Sequence, residues 1–303
     1  MQDNERVEIT MKLKRIFSIF LALCLFAGFV SSAFALSEGD ARAVIGADLT
    51  DSQIGAVYKT FGITRGDVPE LTVTHSEELT YLGDLVSPDV IGTKSISCVY
   101  LKIGAAGSGV NVTTSNISYI TKEMYMNALV TAGIDDAQVV VTAPFSVSGT
   151  AALTGIFKAY EDLTGQKISE EVKLASTQEL VITSDLADQI GNYDAVEIVN
   201  QLKLILDQTK NMTDDQVRAQ IREIAQEYGV SITDGQVDQL LSLCRSLEGL
   251  DSAQLQQKVE EMQATVKKLA DAQKSASNFV EGVKNFFNSI GSFFSGLFGG
   301  NKG

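Results

Sequence analysis

Few side chains in this 303-residue sequence suit proton or acyl transfer. His75 is its single histidine, so a Ser/His/Asp hydrolase would have to use it as the base. It stands in Thr74-His75-Ser76-Glu77-Glu78 and reads as a lone surface histidine beside a loop. No Gly-x-Ser-x-Gly elbow accompanies it. Ser148-Gly149-Thr150 precedes a helical stretch, with Ser146 nearby. Free N–H groups at a helix start hold anions, which makes Ser148, Gly149 and Thr150 a candidate anion site. Lys158, further along the same stretch, is a candidate base for a serine nucleophile. The same residue types also serve as ordinary helix caps.

Other chemistries lack their parts. One histidine with Cys98 and Cys244 falls short of a zinc site. Asp135-Asp136 and Asp214-Asp215 stand outside any twelve-residue calcium loop. No metal and no cofactor is expected. Gly104-Ala105-Ala106-Gly107-Ser108-Gly109 lacks the Lys-Ser/Thr pair of a nucleotide loop and is followed by strand-like Val110-Asn111-Val112-Thr113. It reads as a hairpin turn. Cys98 and Cys244 leave two readings open, a disulfide in an oxidising compartment or two buried free thiols.

These residues need elements to position them. Ser37 to Phe61 reads as helical. Leu71 to Thr74 and Lys94 to Ile103 alternate apolar and polar, the period of a half-buried strand. Thr121 to Ala132 carries Met124, Leu129 and Val130 at helical spacing, with Gly133 as a stop. Val139-Val140-Val141 is a continuous β-branched run, expected of a strand covered on both faces and ended by Pro144. A helix follows Ser148-Gly149-Thr150 to about Leu163. From Ser169 the pattern is helical only: Ser169 to Ile182, Leu186 to Ile190 and Ala195 to Gln208. Thr213-Asp214-Asp215-Gln216 and Thr233-Asp234-Gly235-Gln236 are capping boxes, matched by Thr50-Asp51-Ser52-Gln53 and loosely by Asp251-Ser252-Ala253-Gln254. The bodies between them differ, so they are a reused cap. The predicted fold class is an α+β or α/β sheet domain over 36–168, then an all-α domain over 169–275 and an amphipathic helix over 276–303.

Residues 1–35 have the order of a secretory signal peptide. Lys12, Lys14 and Arg15 precede the apolar run Ile16 to Val30, and Ala33 and Ala35 are the small residues of a cleavage site. The run's fifteen residues span roughly 22 Å as a helix, short of the ~30 Å hydrocarbon core. Removing this leader takes three acids and four bases, moving the net charge from −14 to −15. So acidic a chain is poorly suited to nucleic acid, whose binding rests on Lys and Arg.

The tail has the clearest contact pattern. Phe279, Val283, Phe286, Phe287, Ile290, Phe293, Phe294 and Leu297 fall on one face of a helix. Polar residues too frequent for a spanning helix intervene, which suits a helix lying in the bilayer interface. Burying each Phe is worth roughly 1.5–3 kcal/mol. The same face could instead dock on the helical domain or on a second copy.

Three segments carry a family resemblance: Leu49-Thr50-Asp51; Thr121-Lys122-Glu123-Met124-Tyr125 through Asn127-Ala128-Leu129-Val130-Thr131-Ala132-Gly133-Ile134; and Ala143-Pro144-Phe145-Ser146-Val147-Ser148-Gly149-Thr150-Ala151-Ala152-Leu153-Thr154-Gly155. They resemble the YpuA-like exported proteins of Gram-positive bacteria, a domain-of-unknown-function family (1002). The resemblance covers nearly the whole mature chain and is most specific in the middle segment. It implies an extracytoplasmic bacterial protein of this size, with no activity and no functional residue to carry over. The leading expectation is a non-enzymatic, surface- or envelope-associated binding protein, secreted or extracytoplasmic, that meets the membrane, an envelope component or itself through its tail. The alternative is an extracytoplasmic hydrolase-like enzyme using Ser148 and Lys158.

Overall fold

A computed structural model describes residues 37–272, with side chains through 263. Its frame is a five-stranded mixed sheet followed by helices. The strands are β1 (Ala41–Gly46), β2 (Glu70–Val73), β3 (Cys98–Ile103), β4 (Val110–Ile117) and β5 (Ala137–Val147), in spatial order β2-β1-β3-β5-β4. β1 and β2 run parallel, as do β4 and β5, while β3 is antiparallel to both its neighbours.

Alternation along the strands sorts side chains to two faces. Ala43, Ile45, Cys98, Tyr100 and Val140 face α1 (Asp51–Phe61), which contributes Ile54, Val57, Tyr58 and Phe61. Val44, Val99, Leu101, Ile103, Val139 and Val141 belong to the main core on the other side. There lie α4 (Lys122–Thr131) and α5 (Thr150–Thr164). Helices α6 (Glu170–Ile190), α7 (Asn192–Leu204), α8 (Leu206–Thr209), α9 (Asp214–Glu227), α10 (Asp234–Glu248) and α11 (Ser252–Ala272) follow. The main core runs without a break from Val44 in β1 to Val259 in α11. Two short helices, α2 (His75–Leu82) and α3 (Pro88–Ile91), lie between β2 and β3. They own a separate small cluster of Leu82, Val86 and Ile91 against Val181 of α6.

Four expectations are corrected. Ala41–Gly46 is a strand, not the start of a helix; it lies inside the sheet and is covered on both faces, so its sequence lacks the alternation that betrays a half-buried strand. Residues 104–109 do not close a hairpin, because β5 lies between β3 and β4. They instead wrap Asp136, whose carboxylate accepts from Gly107 N at 3.0 Å and Gly109 N at 2.8 Å. Pro144 does not end its strand. The β3 ladder stops at Thr142, and the β4 register breaks between Ser115 and Ile117, so no partner requires an N–H from residue 144. Lastly, Ser169 to Ile182 and Leu186 to Ile190 are one helix, α6.

The caps are as read. Thr50, Thr213 and Thr233 each form a complete capping box, and Asp251 accepts from Gln254 N at 3.0 Å. The leader and the tail face from Phe279 to Leu297 lie outside the described residues. No helix among the described residues is long and apolar enough to cross a membrane.

Candidate functional site

Two of the stretches singled out in the sequence meet at the start of α5. Gly149 takes the left-handed conformation, φ 97°, between the end of β5 and the first turn of α5. A Cβ there would lie 2.6 Å from both the Tyr125 hydroxyl and Ile117 Cγ2. The Tyr125 hydroxyl instead donates to the Gly149 carbonyl at 2.6 Å. Thr150, 2% exposed, donates through Oγ1 to Glu78 Oε1 at 2.5 Å. Ser148 Oγ lies 3.1 Å from Thr150 Oγ1. Because Thr150 has one hydroxyl proton and spends it on Glu78, Ser148 is the donor to Thr150.

Glu78 comes from α2. Thr74 caps that helix, with Glu77 completing the box. That start puts His75 and Glu78 one turn apart on the face that also carries Leu82. Glu78 Oε2 lies 3.5 Å from His75 Nδ1, with the Glu78 side chain 1% exposed and His75 26% exposed. Neither of these two atoms has a hydrogen-bond partner among the described residues. Burial pushes the Glu78 carboxyl above its ordinary range, while Thr150 and His75 pull against it.

His75, read as a surface histidine beside a loop, is part-exposed and occupies the first turn of a helix. Lys158, for its part, is bonded to groups other than Ser148. Lys158 Nζ sits two turns along α5 and donates to Glu77 Oε1 and to the Thr72 carbonyl, both at 2.6 Å. Nor is there a serine triad, since Glu78 stands between the hydroxyls and the imidazole, where a triad needs the imidazole in the middle. The carboxylate that meets the start of α5 is the chain's own, Glu78, bonded there through the Thr150 hydroxyl.

The remaining candidates disperse. Cys98 and Cys244 are free and buried, in different clusters on opposite sides of the sheet core, so they form no disulfide. Burial pushes the Cys98 thiol up to about 12 and that of Cys244 up to about 11. Asp135 pairs with Lys258 at 2.7 Å, Asp214 with Arg245 at 2.8 Å and Asp215 with Arg218 at 3.0 Å. No group of three or more His, Cys, Asp or Glu among the described residues could hold a metal ion. An open groove of about 520 Å³ between α9 and α10 is lined by Arg218, Arg245, Leu241 and Ser242, but both arginines are already bonded to carboxylates. One polar cluster had no sequence signal. Glu179 of α6 and Lys203 of α7 form an ion pair with essentially no exposure, and Thr131 of α4 donates to Glu179 at 2.5 Å.

A five-stranded mixed sheet followed by a mostly helical region defines a mixed α and β protein. The chain belongs to the family described as "Protein of unknown function (DUF1002)", which matches residues 45–281. It is similar to the uncharacterized protein YpuA of Bacillus subtilis (strain 168), with 44% identity over 216 residues that cover 70% of this chain and 73% of the relative. No solved structure matches it.

Proposed function

We propose that this chain is an exported binding protein of the bacterial envelope, held at a membrane surface by its C-terminal amphipathic segment. The observation that carries the reading is the apolar face from Phe279 to Leu297, eight large apolar residues at helical spacing in a strongly acidic chain. Net charge opposes adsorption to anionic lipid, so apolar burial has to supply the attraction. Five of the eight residues are Phe, each worth roughly 1.5–3 kcal/mol when buried. The leader pattern supports delivery across the membrane. Lys158, the base of the hydrolase alternative, is bonded to Glu77 and the Thr72 carbonyl, which favours the binding reading.

Vesicle flotation tests the reading. The mature chain, from Leu36, is expected to float with phosphatidylcholine vesicles, and a chain ending at Ala276 is expected to stay at the bottom of the gradient. Equal flotation of the two defeats the membrane reading. A concentration-dependent rise in mass that vanishes with the truncation, without flotation, would assign the face to self-association instead.

A further inference from the structure

The two edges of the sheet are finished differently. At the β2 edge, Ala43 N donates to the Pro69 carbonyl at 3.1 Å and Ala47 N to that of Val73 at 2.9 Å. Main-chain groups alternate in direction along a parallel ladder, so Leu71 and Val73 bond to β1 while Glu70 and Thr72 turn outward. This edge is closed. β2 has four residues and begins with Glu70, and its outward Thr72 carbonyl accepts from Lys158 Nζ at 2.6 Å. Short length, a charge and a lysine are devices that keep an edge from pairing with another chain.

The β4 edge has none of these. Ala137 N donates to the Gly109 carbonyl at 3.3 Å, with Val110 in register opposite Ala137. By the same alternation Asn111, Thr113 and Ser115 bond to β5, and Val110, Val112 and Thr114 turn their N–H and C=O groups outward. No described residue outside the sheet is bonded to the main chain of Val112 or Thr114. The strand has eight residues, without a charge or a proline. Its surroundings are uncharged too, from Gly104 to Thr121, in a chain of formal net charge −14. Asn111, Thr113 and Ser115 put short polar side chains at the surface, while Val112 joins the main core beneath.

We propose that β4 is a dimerisation edge, at which two copies of this chain pair β4 with β4, antiparallel, about a twofold axis at Val112. Charge and closure select a second copy as the occupant. Two such acidic molecules repel each other wherever their carboxylates meet, and like charges set opposite each other destabilise a strand pair. The stretch from Gly104 to Thr121 gives them a seam without carboxylates. The twofold axis also closes the assembly. Each copy satisfies the other's outward groups, and the two edges that remain are the closed β2 strands. Strand geometry sets the register. Asn116, at φ 60°, and the shift between Ser115 and Ile117 distort β4 beyond Ser115, so residues 110–114 are the part that can pair regularly. Val110 then meets the partner's Thr114, and Val112 meets the partner's Val112, in hydrogen-bonded pairs. Asn111 lies opposite the partner's Thr113. The seam does not involve the tail, so it and the membrane reading stand or fall separately.

Sedimentation velocity of the mature chain, from Leu36, over a wide dilution series tests the edge. The mass is expected to double as concentration rises. Thr113→Lys makes each copy less acidic, yet places two ammonium groups diagonally across the seam. Thr114→Pro removes an outward N–H, a change that an unpaired edge strand tolerates. Each variant is expected to stay monomeric at every concentration, with the circular dichroism of the native chain. Thr60→Lys makes the same charge change on the exposed side of α1 and should dimerise like the native chain. Phe286→Ser combined with Phe287→Ser breaks the apolar face of the tail and should also leave the dimer intact. A native chain that is monomeric throughout overturns the proposal. So does a dimer that survives both Thr113→Lys and Thr114→Pro, and so does one that is lost with the tail phenylalanines.

Discussion

At the scale of single residues, the chain keeps its most costly polar groups away from its surface. Lys203 and Glu179 have essentially no exposure. Burial pushes the Glu179 carboxyl up and the Lys203 amine down, and each is restrained by the other's charge. Such a pair contributes little net stability while intact, but losing one partner leaves a bare charge in the core. Lys203→Met is therefore expected to cost roughly 3–5 kcal/mol in urea unfolding. Glu179→Leu combined with Lys203→Met should recover most of that loss. A double variant as unstable as the single would show that the cost comes from packing and not from the abandoned carboxylate. None of this was legible beforehand. Lys203 and Glu179 stand in helical stretches where a charged residue ordinarily faces water, and nothing nearby in the sequence distinguishes them. His75 and Ser148 to Thr150 were visible as separate signals. Their junction was not, because Glu78 comes from a segment more than sixty residues before Thr150. The Thr74-x-x-Glu77 box was the available clue: it marks a helix start, and a helix there turns His75, Glu78 and Leu82 to one side.

At the scale of elements, local rules succeeded where local bonds decide. Thr213 and Thr233 accept from the N–H three residues on, and Gln216 and Gln236 reach back to the cap N–H at 2.8 and 2.7 Å. Those bonds lie within four residues, so four residues of sequence announce them. Replacing Thr233 by Ala should destabilise the protein by about 1 kcal/mol in chemical unfolding, with Ser retaining most of it. A neutral Thr233→Ala would mean that tertiary packing alone sets the start of α10. Strands obeyed a different logic. β2 and β3 alternate and were readable, whereas β1 is covered on both faces and resembles an apolar helix. Strand order was beyond reach for a related reason. Whether β4 pairs with β3 or with β5 is decided by which side chains meet across the sheet, and the Gly-rich stretch before it suits either outcome.

At the scale of the whole molecule, composition changes at residue 169 from mixed to helical, but the packing does not break there. Ile103, Val139 and Leu153 belong to the same cluster as Leu180, Val199 and Leu240. A core that is continuous across a change in secondary structure should unfold as a unit, because neither side can expose its share of the apolar surface cheaply. The two buried thiols are native reporters of this. Cys98 sits in the sheet, 0% exposed, and Cys244 in α10, also 0% exposed. Both are held up in pKa by burial, so they stay unreactive until their surroundings open. Pulsed alkylation across a urea series, with the two cysteines resolved by peptide mass, is expected to give one shared midpoint. Separated midpoints would mean that the sheet and the later helices fold as two units, and that the shared cluster is an interface between them.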